Sequence, residues 1–137
     1  MALTLHFFVS VICVLGTLVM SETVPNESIS SHVLDTVSGE PAQRVAISAF
    51  IKEGDEWKRI GETYTGQNGR VPWVSPNVTL VKGIYKLSFD VEDYYRRKQM
   101  ESFFPYVEVV FKVADDSRHY HIPLTLSPYA YSTYRGS

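Results

Sequence analysis

The sequence predicts an all-β chain, an antiparallel sandwich of about seven or eight short strands carrying one short helix. Three observations lead there: period-two alternation in several segments, turn signals between them, and a single stretch whose charges are ordered for a helix. In segment 45–52, Val45, Ile47, Ala49 and Ile51 share one parity, while Ser48 and Lys52 take the other. Segment 83–89 puts Tyr85, Leu87 and Phe89 on one face against Lys86 and Ser88. Val107, Val109, Phe111 and Val113 alternate with Tyr106, Glu108, Val110 and Lys112. Successive side chains of a strand point to opposite faces, so this is the pattern of half-buried strands.

The turns are Ser38-Gly39-Glu40-Pro41, Gly54-Asp55, Gln67-Asn68-Gly69, Ser75-Pro76-Asn77 and Asp115-Asp116-Ser117. Segment 90–98 departs from the strand pattern. Asp90 stands at the N-cap position, Glu92 and Asp93 fall in the first turn, and Arg96, Arg97 and Lys98 in the last. That order opposes the helix dipole at both ends and predicts a helix.

Composition narrows the function classes. In 137 residues, 13 basic and 15 acidic side chains give a formal charge of -2. They are interspersed, leaving no footprint for nucleic acid and no basic block to hold an anionic membrane. The single cysteine, Cys13, rules out an internal disulfide framework and a cysteine-based zinc site. Stability is left to core packing and to subunit association.

The N-terminal part is expected to be a separate unit. Residues 7–20 form an uncharged apolar run, and Val19 and Ser21 suit the positions before a signal cleavage site. A signal peptide over 1–21, a polar linker over 22–28 and a domain over 29–137 are therefore expected. Sequons at Asn26 and Asn77 agree with the secretory route. The expected location is the secretory pathway or the exterior (the periplasm for a bacterial chain). Peroxisome or cytoplasm is the alternative, although the Arg135-Gly136-Ser137 ending is no peroxisomal address. No stable membrane insertion is expected once the leader is removed.

Segment 119–126 carries the chemistry. Tyr120, Ile122, Leu124 and Leu126 share a core face, while His119, His121, Pro123 and Thr125 share the other. A solvated polar face is the plain reading of the pair. A His-x-His zinc site is a second, with His32 the remaining histidine outside the leader. A general base is the third, since an imidazole is largely neutral near pH 7. His32 opens a strand and shares a face with Leu34; alone it reads as structural. Arg70 follows a glycine turn, where a surface role is usual, yet its fork also suits carbonyl or anionic oxygens. Ser132 lies in a regular strand without a nucleophile elbow, so serine catalysis is set aside.

Taken together, these segments resemble the 5-hydroxyisourate hydrolases. The opening run 31–36 with Gly39-Glu40-Pro41-Ala42 matches their first signature, and 119–129 with Tyr131 to Ser137 matches their last. Asn68-Gly69-Arg70, Gly83-Ile84-Tyr85-Lys86 and segment 104–111 match between them. The resemblance covers about 29–137, in order and without large gaps. It implies a transthyretin-type (prealbumin-like) sandwich, a homotetramer built as a dimer of dimers, and a channel lined by His121 and Ser132.

It further implies His32, Arg70 and His121 as catalytic residues, with Tyr134 and Ser132 joining His32 and Arg70 against 5-hydroxyisourate. His119 is implied as a neighbour of the base. No cofactor or metal is implied. The related transthyretins carry thyroid hormone, and a secreted carrier of that hormone or of small aromatics is the alternative. Those carriers lack the two histidines and the arginine at the matching positions. Thr125 departs from the aliphatic residue usual in the hydrolases, on the face expected to line the channel.

Overall fold

The computed structural model describes residues 29–75 and 78–136. The expected leader and linker, the sequon asparagines Asn26 and Asn77, and Ser137 lie outside them. Among the described residues, nine strands and one helix run in the order β1 (Ile29–Asp35), β2 (Glu40–Pro41), β3 (Ala46–Glu53), β4 (Glu56–Tyr64), β5 (Arg70–Val71), β6 (Gly83–Phe89), α1 (Val91–Arg97), β7 (Val107–Val113), β8 (Tyr120–Ser127) and β9 (Ala130–Thr133). They form two sheets. One is ordered β2-β1-β8-β9 with β5 also paired to β1, and the other β4-β3-β6-β7.

The expected parities are the observed ones. Ile47 and Ala49 of β3, Tyr85, Leu87 and Phe89 of β6, and Val107, Val109 and Val113 of β7 are buried from one side. Tyr120, Ile122, Leu124 and Leu126 of β8 meet them from the other sheet. β4, which no alternation foretold, is an edge strand with mostly exposed or half-buried residues.

Among the described residues, every strand pair is antiparallel except one: β1 and β8 run parallel, Ile29 opposite Tyr120 through Asp35 opposite Leu126. Parallel neighbours need a crossover rather than a hairpin. Here most of the domain lies between the two strands, and the return of β8 to β1 closes the sandwich.

The helix begins where its charges place it. Asp90 caps it by accepting from the Asp93 amide at 3.1 Å. Its buried residues, Val91, Tyr94 and Tyr95, fall at the spacing of one helical face. That face is anchored on Asp35, which is fully buried at the end of β1. The Asp35 carboxylate accepts from Tyr94 at 2.9 Å, Tyr95 at 3.4 Å, the Lys98 ammonium at 2.6 Å and the Val37 amide at 3.0 Å. Burial alone would raise its pKa, but the bonds from Lys98, Tyr94 and Val37 together hold it below the ordinary carboxylate value.

Replacing Asp35 with Ala leaves two buried phenols without their acceptor, which costs about 2–4 kcal/mol in urea unfolding. Lys98→Met costs less, about 1–2 kcal/mol, because the buried Asp35 carboxylate loses the ammonium but keeps its bonds from Tyr94, Tyr95 and the Val37 amide. Because the folded Asp35 pKa is depressed, its contribution is present above the ordinary carboxylate pKa and disappears as pH falls through the folded value. Equal losses in the two variants would contradict this anchor.

Candidate active site

Residues directly opposite in a sheet present their side chains on the same face. In β1 the inward set is Ile29, Ser31, Val33 and Asp35, so Ser30, His32 and Leu34 face outward. Across the β1–β8 register, Ser30 stands opposite His121, His32 opposite Pro123 and Leu34 opposite Thr125. On the far side of β1, β5 sets Arg70 opposite His32. One outer face thus gathers His32, Arg70 and His121 from three separate strands.

The turn before Arg70 is what allows β5 to reach β1. Gly69 has φ +71°, a conformation that favours glycine. A Cβ there would stand 2.5 Å from the Val33 carbonyl oxygen. The Val33 amide donates to Gly69 O at 2.9 Å, and the Arg70 amide donates to Asn68 Oδ1 at 3.0 Å. These bonds hold the turn against the strand and present Arg70 beside the histidines.

A groove of about 430 Å³ opens on this face, lined by Ser30, Asn68, Arg70, Pro72, His119 and His121 among others. Ser30, only 8% exposed, lies beneath both histidines. Its Oγ is 2.7 Å from His119 Nε2 and 2.7 Å from His121 Nδ1. The chain's end covers His121 from another side. The Gly136 amide donates to His121 O at 2.9 Å, and a Cβ on Gly136 would stand 2.4 Å from His121 Cδ2.

The electrostatics join the three predicted catalytic residues. Burial lowers the pKa of His121, and the Arg70 guanidinium, His119 and His32 lower it further. Burial and then Arg70 also lower His32, while its hydrogen bond with the Asn68 backbone pulls the other way. Both imidazoles therefore stay neutral to lower pH than a free histidine. Neutral imidazoles beside a fixed cation can accept a proton from water while the guanidinium holds an anionic oxygen. Among the described residues, no group of three or more His, Cys, Asp or Glu side chains is arranged to hold a metal ion.

Ser132 and Tyr134 lie elsewhere in a single chain. Ser132 faces Thr125 across β8–β9 with the two hydroxyls 2.6 Å apart, on the outer face beyond Pro123. The polar residue at Thr125 is thereby matched by a polar partner. Tyr134, 63% exposed, borders a second groove of about 400 Å³ between β7 and the β8–β9 end of the other sheet. Ser30 and Asn68 are site residues that motif reading left unassigned. Ser30 shares the parity of His32, a visible signal, but its partners sit 89 and 91 positions away.

The fold and site together define a transthyretin-type sandwich in which one outer sheet face carries His32, Arg70 and His121, with Arg70 and His121 lining the groove. A model of the HIUase/Transthyretin family matches residues 29–136, and the chain belongs to that family. A probable 5-hydroxyisourate hydrolase of Caenorhabditis elegans is 55% identical over 119 residues, 87% of this chain and 88% of that protein. The 5-hydroxyisourate hydrolase of Mus musculus is 42% identical over 111 residues, 80% and 94% of the two chains. Among solved structures, the 5-hydroxyisourate hydrolase of Klebsiella pneumoniae superposes with a TM-score of 0.71 at 31% identity, covering 80% of this chain and 98% of that one.

Gly136→Ala places a methyl group against His121 and displaces either the ring or the chain's end. The expected outcome is a fall in turnover of about tenfold or more, the scale of losing one positioned acid–base group, with the melting temperature nearly unchanged. Turnover equal to the parent protein would show that the close approach of Gly136 is inconsequential.

Proposed function

We propose that this chain hydrolyses 5-hydroxyisourate, opening its ring to 2-oxo-4-hydroxy-4-carboxy-5-ureidoimidazoline in the degradation of urate. The observation that carries the reading is the grouping of His32, Arg70 and His121 on one face by the β1–β8 and β1–β5 registers. Relatives named for this reaction support it across most of the chain. The carrier alternative draws less support, because a sheet face with a guanidinium and two histidines of lowered pKa, His32 and His121, is equipped for proton transfer.

In the reaction, His121 or His32 takes a proton from a water molecule as it attacks the cyclic amide carbonyl. Arg70 holds the oxygen on which negative charge develops. As the C–N bond breaks, the histidine that took the proton returns it to the ring nitrogen, while the other histidine orients the water. Tyr134 and Ser132 complete the substrate pocket when chains assemble as a dimer of dimers.

That assembly is supported by two features. β7 and β9 terminate the two sheets, and their surroundings expose Tyr106, Val110, Tyr129, Tyr131 and Tyr134. Strand edges with exposed aromatic residues favour pairing with a second copy. The leader directs the chain into the secretory pathway, a reading supported by the apolar run at 7–20. N-terminal sequencing of the exported chain detects cleavage after Ser21, and an intact Met1 would contradict it.

The direct assay follows the absorbance of freshly generated 5-hydroxyisourate. Catalysed decay is expected; decay at the spontaneous rate alongside thyroid-hormone binding would favour the carrier. Arg70→Gln lowers kcat/KM by about 100-fold or more, as removal of an oxyanion partner does. Its residual activity has an acid limb at higher pH than the parent, since loss of the cation lets His32 and His121 bind protons more readily. An unshifted limb would detach Arg70 from the histidines. Exhaustive chelation leaves the rate unchanged, and a loss restored by zinc would require a metal. Sedimentation gives a species of about four chains, whereas a monomer at working concentration would contradict the assembled pocket.

A further inference from the structure

Ser30 presents one hydroxyl to two imidazoles that lie on the same side of the sheet. A hydroxyl has one proton and two acceptor positions. It can donate to only one of His119 Nε2 and His121 Nδ1, and it accepts from the other. The two ring tautomers are thereby tied together through one oxygen, at 2.7 Å from each nitrogen. The site is built for this contact: Ser30 is buried at 8% exposure, while His119 is exposed and His121 half-buried.

We propose that Ser30 positions His121 for catalysis and, through the shared hydroxyl, passes its proton load to His119. The inference rests on the hydrolase reading above and adds a residue that the family motifs did not mark. In the resting site, His121 Nδ1–H donates to Ser30 Oγ, and the Ser30 hydroxyl donates to His119 Nε2. His121 Nε2 then carries the lone pair that takes the proton of the attacking water. The imidazolium formed gives its Nδ1 proton to Ser30 Oγ as the Ser30 proton moves to His119 Nε2. One proton enters and none is lost: His121 ends neutral with its proton on Nε2, and His119 ends as the cation. The same path in reverse restores the resting state.

The charges facing His121 favour that transfer. Arg70 from β5, His32 from β1 and His119 from just before β8 disfavour a cation on the half-buried ring. His119, at the exposed rim, can share its charge with water. The hydroxyl bridge also explains why the strand keeps two histidines where a single base would serve.

The test uses the full chain with Ser30→Ala, Ser30→Thr and His119→Gln. Ser30→Ala is expected to lower kcat by about tenfold or more, the usual scale for one acid–base partner, with KM changed by less than about twofold. Ring ¹⁵N spectra of the parent show His121 held with its proton on Nδ1, and Ser30→Ala shows a mixture of both tautomers. Ser30→Thr restores both properties because it keeps the hydroxyl. His119→Gln retains a hydrogen-bonding group that cannot take a proton, so kcat falls while the His121 tautomer stays fixed.

Unchanged kcat in His119→Gln overturns the transfer of charge, and an unchanged His121 tautomer in Ser30→Ala overturns the positioning role. Should Ser30→Ala fail to fold, His119→Gln at the exposed rim and the Ser30→Thr rescue still decide. If the parent protein leaves 5-hydroxyisourate untouched, the functional reading fails on its own, and the ¹⁵N spectra still report whether Ser30 governs His121.

Discussion

The parallel pairing of β1 with β8 is the constraint on which the rest of the molecule depends. A strand has period two, so a shift of one residue in this register would send Ser30 and His32 into the core and Ser31 and Val33 to the surface. The observed register is held from both faces. Inward, Ile29, Val33, Leu124 and Leu126 are buried in the common core, and Ser31 Oγ donates to Ile122 O at 2.8 Å. At the strand's end, Asp35 is clasped by the helix through Tyr94, Tyr95 and Lys98. Core packing and a buried carboxylate thus fix the alignment that the outer face uses for chemistry.

The site is then a consequence of three short-range events. β5 joins β1 through the Gly69 turn, which brings in Arg70. β8 brings His121, and the chain's end closes against it where Gly136 allows close approach. Burial and the guanidinium act together on both histidines, keeping them neutral to lower pH than a free imidazole. Each element contributes a residue that would be ordinary elsewhere, and their convergence makes the groove reactive.

Much of this was legible in the sequence, for identifiable reasons. Alternation marked β6 at its observed bounds and β7 to within a residue because each has a strongly buried inner face, although β7, unlike β6, is an edge strand. Charge order marked the helix, since caps and dipole are local matters. β4 escaped because an edge strand buries less, and Glu56–Tyr64 lacks a clean apolar parity. The parallel β1–β8 pair could not be read at all, because pairing partners about ninety positions apart leave no local trace. For the same reason His32 read alone as structural, and Ser30 drew no notice until its partners were known. The resemblance to the hydrolases supplied the residue set, while the registers supplied its physical cause. Ser132 and Tyr134, by contrast, lie away from the histidine groove in one chain.

The central claim is that one face of the sheet holds substrate against His32, Arg70 and His121 together. It is tested most directly by titrating a stable cyclic ureide into ¹⁵N-labelled protein and following the histidine ring resonances. The account predicts that His32 and His121 shift along one shared saturation curve, and that the curve vanishes in Arg70→Gln. Separate curves, or saturable binding that leaves both rings unmoved, would contradict it.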